Sequence, residues 1–143
     1  MCVALTTDLD AVALHAILRL RSEVFVVEQA CAYLDPDGRD VEPGCQQVWI
    51  TDEADGGAVI ATARVLTEPD GRQRIGRVCT AASARGRGIG EELMRGALAC
   101  CGDREVVIDA QSHLTDWYGR LGFVPTGHTF VEDGIDHTEM VRP

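Results

Sequence analysis

Residues 85–90 read Arg-Gly-Arg-Gly-Ile-Gly, two guanidinium groups set among three glycines just ahead of an amphipathic run. Glycine lets a backbone come close to a phosphate, and a helix starting there adds unpaired N–H groups and the positive end of its dipole. The chemistry of such a segment is anion binding, and a pyrophosphate is the natural size. Two other phosphate loops do not fit. A Walker loop needs a Lys, and all 13 basic residues are Arg. A dinucleotide fingerprint needs a glycine where Glu91 stands and a strand feeding straight into the loop, whereas Ala81-Ala82-Ser83-Ala84 intervene. Taken alone, the segment also stays open to a plain glycine-rich turn.

The elements that must position this loop follow from periodicity. Leu9, Val12, Ala13, Ile17, Leu20 and Val24 recur at helical spacing, so Asp8 or Asp10 opens a helix reaching Ser22–Val24. Residues 30–45, with Pro36, Gly38, Pro43 and Gly44, read as a loop. Gln47–Thr51 and Ala58–Leu66 read as strands split by a turn at Asp55-Gly56-Gly57, and Asp70-Gly71 turns the chain into a third strand at Arg74–Thr80. Gly88–Cys101 is a helix with Glu91 and Glu92 in its first turn, favourable against the dipole. Val106-Val107-Ile108 reads as a buried central strand. A helix over His113–Arg120 follows, then strands Phe123–Phe130 and Asp136–Val141 around Asp133-Gly134. This order describes one α/β domain with a mixed sheet.

Bulk properties narrow the function. At 143 residues, 45% hydrophobic and 25% charged, the chain suits one soluble domain. No stretch reaches the roughly 20 apolar residues that span a bilayer, and the N-terminus does not read as a signal peptide. No membrane partner and a cytoplasmic location are therefore expected. The net charge of −10 argues against nucleic-acid binding. That charge is uneven: residues 61–104 hold 8 Arg against 5 acids, whereas 1–60 hold 3 against 11 and 105–143 hold 2 against 7. A central basic segment in an acidic chain suits an anionic cofactor facing a cationic substrate. The six cysteines show neither a Cys-x-x-Cys nor a zinc-like spacing with His, so no metal is expected.

The segment Arg-x-x-Gly-x-Gly at 85–90, placed after a strand and opening a long helix, resembles the acyl-CoA loop of the GNAT acetyltransferases. Asp116-Trp117-Tyr118-Gly119-Arg120-Leu121-Gly122-Phe123 resembles that family's later motif, and Gln111 falls where many members carry Asn. Arg21–Gln29, the Asp-rich Asp35–Asp40 and Glu132–His137 are similar to the ElaA-type subfamily. The resemblance spans about residues 9–142. It implies a single GNAT domain over residues 1–143, a mixed and mostly antiparallel central sheet flanked by helices.

The resemblance also implies roles. Acetyl-CoA would be the cosubstrate, held by Arg85, Gly86, Arg87, Gly88, Ile89 and Gly90, by the backbone of Val78-Cys79-Thr80, and by Gln111. A backbone N–H of that strand would receive the oxyanion. The acceptor would be a small-molecule amine or a protein amino group, attacking the thioester directly. Such an amine is mostly protonated at neutral pH and must first lose a proton. Glu28 is the first candidate base, with a solvated Glu as the plain alternative. Glu23 and Asp109 are weaker candidates, and His137 is either base or substrate contact. Tyr118 is the candidate acid for the departing thiolate, against a merely packed Tyr. Cys79 as a nucleophile is disfavoured because no His is close in sequence. A non-catalytic acyl-CoA-binding module is the alternative function, and a homodimer is left open.

Overall fold

The computed structural model describes residues 1–143. Its core is one seven-stranded sheet in the order β1-β2-β3-β4-β5-β7-β6. The strands are β1 (Cys2–Leu5), β2 (Gln46–Asp52), β3 (Ala58–Thr67), β4 (Gln73–Thr80), β5 (Val106–Gln111), β6 (Val124–Glu132) and β7 (Ile135–Arg142). All neighbours are antiparallel except β4 and β5, so the expected mixed, mostly antiparallel sheet is what forms. Turn chemistry sets the hairpins. Asp133 and Gly134, both at positive φ (50° and 74°), make a two-residue connection between β6 and β7, the form that matches strand twist.

Helix α1 (Ala11–Arg21) starts at Asp10, whose carboxylate accepts the Ala13 N–H at 2.7 Å. It does not stop at Val24 but continues as a π-helical stretch, Ser22–Glu28. Helix α2 (Ile89–Cys101) buries Leu93, Met94, Ala97 and Cys101, close to the stripe its spacing predicts. The helix expected over His113–Arg120 is shorter: a 3₁₀ turn, Ser112–Leu114, leads into the five-residue α3 (Thr115–Gly119). Leu20 and Val24 meet Cys79 on one face of the sheet. Helices α2 and α3 cover the other, where Val48, Ala61, Leu93, Met94, Tyr118 and Phe123 join the main core. Strand β1 was not expected, since it is only four residues long and mostly exposed.

Residues 30–45 hold little regular structure, yet they are anchored by charge. Arg21 is fully buried on α1. Its Nε–H donates to Asp35 at 2.7 Å, and its Nη groups donate to Asp40 at 2.7 and 3.1 Å. Arg64 on β3 binds Asp37 through both Nη groups and lies 3.1 Å from Asp40. Arg77 on β4 reaches Asp35 and Asp37. Three arginines thus match three aspartates and pin the loop across α1, β3 and β4. No helix is long and apolar enough to cross a membrane.

Candidate active site

The site begins where the sheet opens. Strands β4 and β5 pair only at Gln73↔Val106 and Arg74↔Val107, and beyond Arg74 the β5-facing edge of β4 has no ladder partner. On its other side, Ala81 donates its N–H to Ile60 O at 2.8 Å. Alternation along a strand therefore turns the backbone groups of Val78 and Thr80 toward the opening, whereas those of Cys79, expected to bind the cosubstrate with them, face its β3 partner Thr62. The Thr80 carbonyl confirms that direction, because it accepts the Nε–H of Arg85 at 3.1 Å. Just before them, Arg77 sits at φ +53°, a kink that sends its side chain to the aspartate loop.

After β4 a single 3₁₀ turn, Ala82–Ala84, leads to the glycine loop. Gly86 and Gly88 lie at φ +73° and +78°, a region costly for any residue with a Cβ. Gly88 caps α2 without any side-chain hydrogen bond, so the first-turn amides are left for another acceptor. These amides border a pocket of about 320 Å³, lined by Thr80, Arg85, Gly86, Gly88, Ile89, Gly90 and Trp117 among others. A larger cleft of about 970 Å³ shares Thr80, Arg85, Gly90 and Trp117 with it and runs through the opening between β4 and β5.

Most of the expected residues converge there. Glu28, Val78, Cys79, Thr80, Arg85, Gly90, Gln111, Tyr118 and His137 line the cleft, and Gly86, Gly88 and Ile89 line the adjoining pocket. Arg87 lines neither; its guanidinium lies 3.7 Å from Asp52. Of the weaker candidates, Asp109 lies on the cleft wall, where Arg74 holds it at 2.6 Å. Glu23 does not line the cleft and pairs with Arg19 along the helix. No group of His, Cys, Asp and Glu is arranged to hold a metal ion.

Tyr118 is 7% exposed, wedged edge-on between Trp117 and Phe123. Burial pushes its phenol up to about 12, so it is protonated at neutral pH. His137 stacks on Phe130 at 5.4 Å and an interplanar angle of 10°, and Phe130 stacks in turn on His128. Its Nδ1 is 2.8 Å from Ile135 O; a proton on Nδ1 satisfies that carbonyl and leaves Nε2 as an acceptor. Gln111, the β5 partner of His137, donates from Nε2 to Gln29 at 3.2 Å.

Burial pushes the Cys79 thiol up to about 12, which removes the thiolate that a covalent mechanism needs. Cys79→Ala is accordingly expected to keep turnover within about threefold, since a lost buried nucleophile would instead abolish it. Steady-state rates of the variant check this.

Three features went unread in the sequence. Arg21 falls on the buried stripe with Ile17, Leu20 and Val24, and an Arg at a core position demands buried carboxylates; that signal was available. Trp117 packs its ring 3.5 Å from where a Cβ on Gly90 would stand, joining α3 to the glycine loop. The kink at Arg77 has no sequence mark.

A seven-stranded sheet that opens between β4 and β5 opposite a glycine loop defines the class. The model of the acetyltransferase (GNAT) domain matches residues 37–142, and the chain belongs to the GNAT acetyltransferase family, within it to the ElaA type. It is 48% identical over 139 residues to UPF0039 protein Rv2851c of Mycobacterium tuberculosis, covering 95% of this chain and 88% of that one. It is 38% identical to protein ElaA of Escherichia coli over 95% of this chain and 91% of that one. A crystal structure of an acyl-CoA N-acyltransferase from Pseudomonas aeruginosa superimposes with a TM-score of 0.92 at 36% identity, covering 99% of this chain and 98% of that chain.

Proposed function

We propose that the protein transfers an acetyl group from acetyl-CoA to a primary amine by direct attack. One observation carries this reading: the unpaired edge of β4, the free amides of the glycine loop and the buried Tyr118 phenol all border one continuous opening. The loop amides and Arg85 suit a pyrophosphate. The edge of β4 suits the amide groups of a pantetheine arm, which it would bind as an added strand. A backbone N–H of that edge suits the oxyanion.

In the transfer, the amine nitrogen forms a bond to the acetyl carbon and the carbon–sulfur bond breaks. Glu28, directly or through water, takes the proton that the amine sheds, with His137 Nε2 as the second candidate. Tyr118 supplies a proton to the departing sulfur. Acidity at the acceptor end does not come from the Asp35–Asp40 loop, whose carboxylates are matched to arginines. Glu132 and Asp133 border the cleft without a salt bridge and favour a cationic acceptor.

The test mixes the protein with acetyl-CoA and a panel of amines, namely a polyamine, an amino sugar and a Lys-containing peptide, and follows thiol release. Amine-dependent release is the expected result. Binding of acetyl-CoA without release on any acceptor would favour the non-catalytic module.

A further inference from the structure

Glu28 and Arg85 come from opposite halves of the site, yet their side chains close on each other. Glu28 ends the π-helical stretch that follows α1, and Arg85 begins the glycine loop ahead of α2. Arg85 donates from Nη1 to Oε1 at 2.6 Å and from Nη2 to Oε2 at 2.9 Å, while its Nε–H is held by the Thr80 carbonyl. The two-pronged face of the guanidinium, the part that grips a phosphate, is therefore occupied by a carboxylate. Both side chains are nearly half exposed, at 44% and 43%, so water can reach the pair and compete with it.

We infer that Arg85 is a latch on Glu28: the phosphates of the acyl-CoA draw the guanidinium away, and only then is the carboxylate free to serve the amine. This rests on the acyl-CoA reading above. A pyrophosphate offers the same bidentate geometry as a carboxylate and more charge. The cost of leaving Glu28 is small because exposed pairs are weak. The hydrogen bond from Arg85, with its charge, holds the Glu28 carboxyl below its ordinary range; release restores its strength as a base. Cys79, buried on β4, is the other titratable group coupled to the pair, and it stays neutral. The arrangement assigns Arg85 a positioning role beyond phosphate contact: a filled loop switches the base on.

Linkage makes the latch measurable without an acceptor. If phosphate and Glu28 compete for one guanidinium, then Glu28 weakens CoA binding. Calorimetric titration of CoA into Glu28→Gln should show affinity about two- to fivefold tighter than for the unchanged protein, the range expected for releasing an exposed ion pair. In an Arg85→Gln background the same substitution should change nothing, because no latch remains. Equal tightening in both backgrounds would mean simple charge repulsion and would overturn the latch. So would unchanged CoA affinity in Glu28→Gln. If the unchanged protein binds no CoA at all, the acyl-CoA reading itself fails and takes the latch with it.

Discussion

Asp40→Ala is expected to destabilise the fold by about 3–5 kcal/mol, the usual cost of stripping one partner from a buried ion pair. Asp40 takes both Nη groups of Arg21, lies 3.1 Å from Arg64, and accepts from Gln47 at 3.0 Å. Arg21 has no route to water, so the loss cannot be made good by solvation. Urea unfolding of the variant measures it, with Asp103→Ala on an exposed turn as a control expected within about 0.5 kcal/mol. A loss below about 1 kcal/mol would show that the network is not sealed.

Acid should act through the same groups. Burial alone would raise the Asp40 carboxyl, but the hydrogen bond from Arg21 and the charges of Arg21 and Arg64 outweigh it and leave it lowered. The same balance, with Arg64 as the main partner, lowers Asp37. A lowered carboxyl contributes stability above its unfolded value of about 3.9 and loses it as pH falls through the folded value. The protein should therefore lose stability only below about pH 4 through this network.

Tyr118→Phe should cut turnover at saturating acetyl-CoA by about 100-fold or more, the range of general-acid contributions. CoA affinity should change by less than about twofold, because the hydroxyl alone is removed and the ring packing on Trp117 and Phe123 persists. Stability should hardly move, since the hydroxyl has no protein hydrogen-bond partner whose loss would count. Unchanged turnover would remove Tyr118 from the chemistry.

Local pattern carried much of the fold. The stripe of α2, the Ile17, Leu20 and Val24 side of α1, and the turns at Asp70-Gly71 and Asp133-Gly134 are where periodicity and glycine put them, whereas Val12, counted in the α1 stripe, points to solvent. The misses have physical causes. Strand β1 is too short to show alternation. The π-helical continuation to Glu28 leaves no period of its own, although it carries Glu28 to Arg85. Of the site, the glycine loop and Tyr118 were legible because backbone strain and motif spacing are local. The parting of β4 from β5, the direction of Val78 and Thr80, and the closure of Glu28 on Arg85 depend on hydrogen-bond register and long-range contact. Arg85 shows the difference: its residue type announced phosphate, and only the fold gave it a carboxylate.

Acetyl transfer here requires acyl-CoA to lie in the opening between β4 and β5, against the glycine loop. Backbone amide hydrogen exchange, followed by NMR on ¹⁵N-labelled protein with and without saturating CoA, tests that directly. Slowed exchange at Val78, Thr80 and the amides of Gly86–Gly90, with β6 unchanged, is the predicted result. Protection that appears only outside β4 and the glycine loop, or none at all, would contradict it.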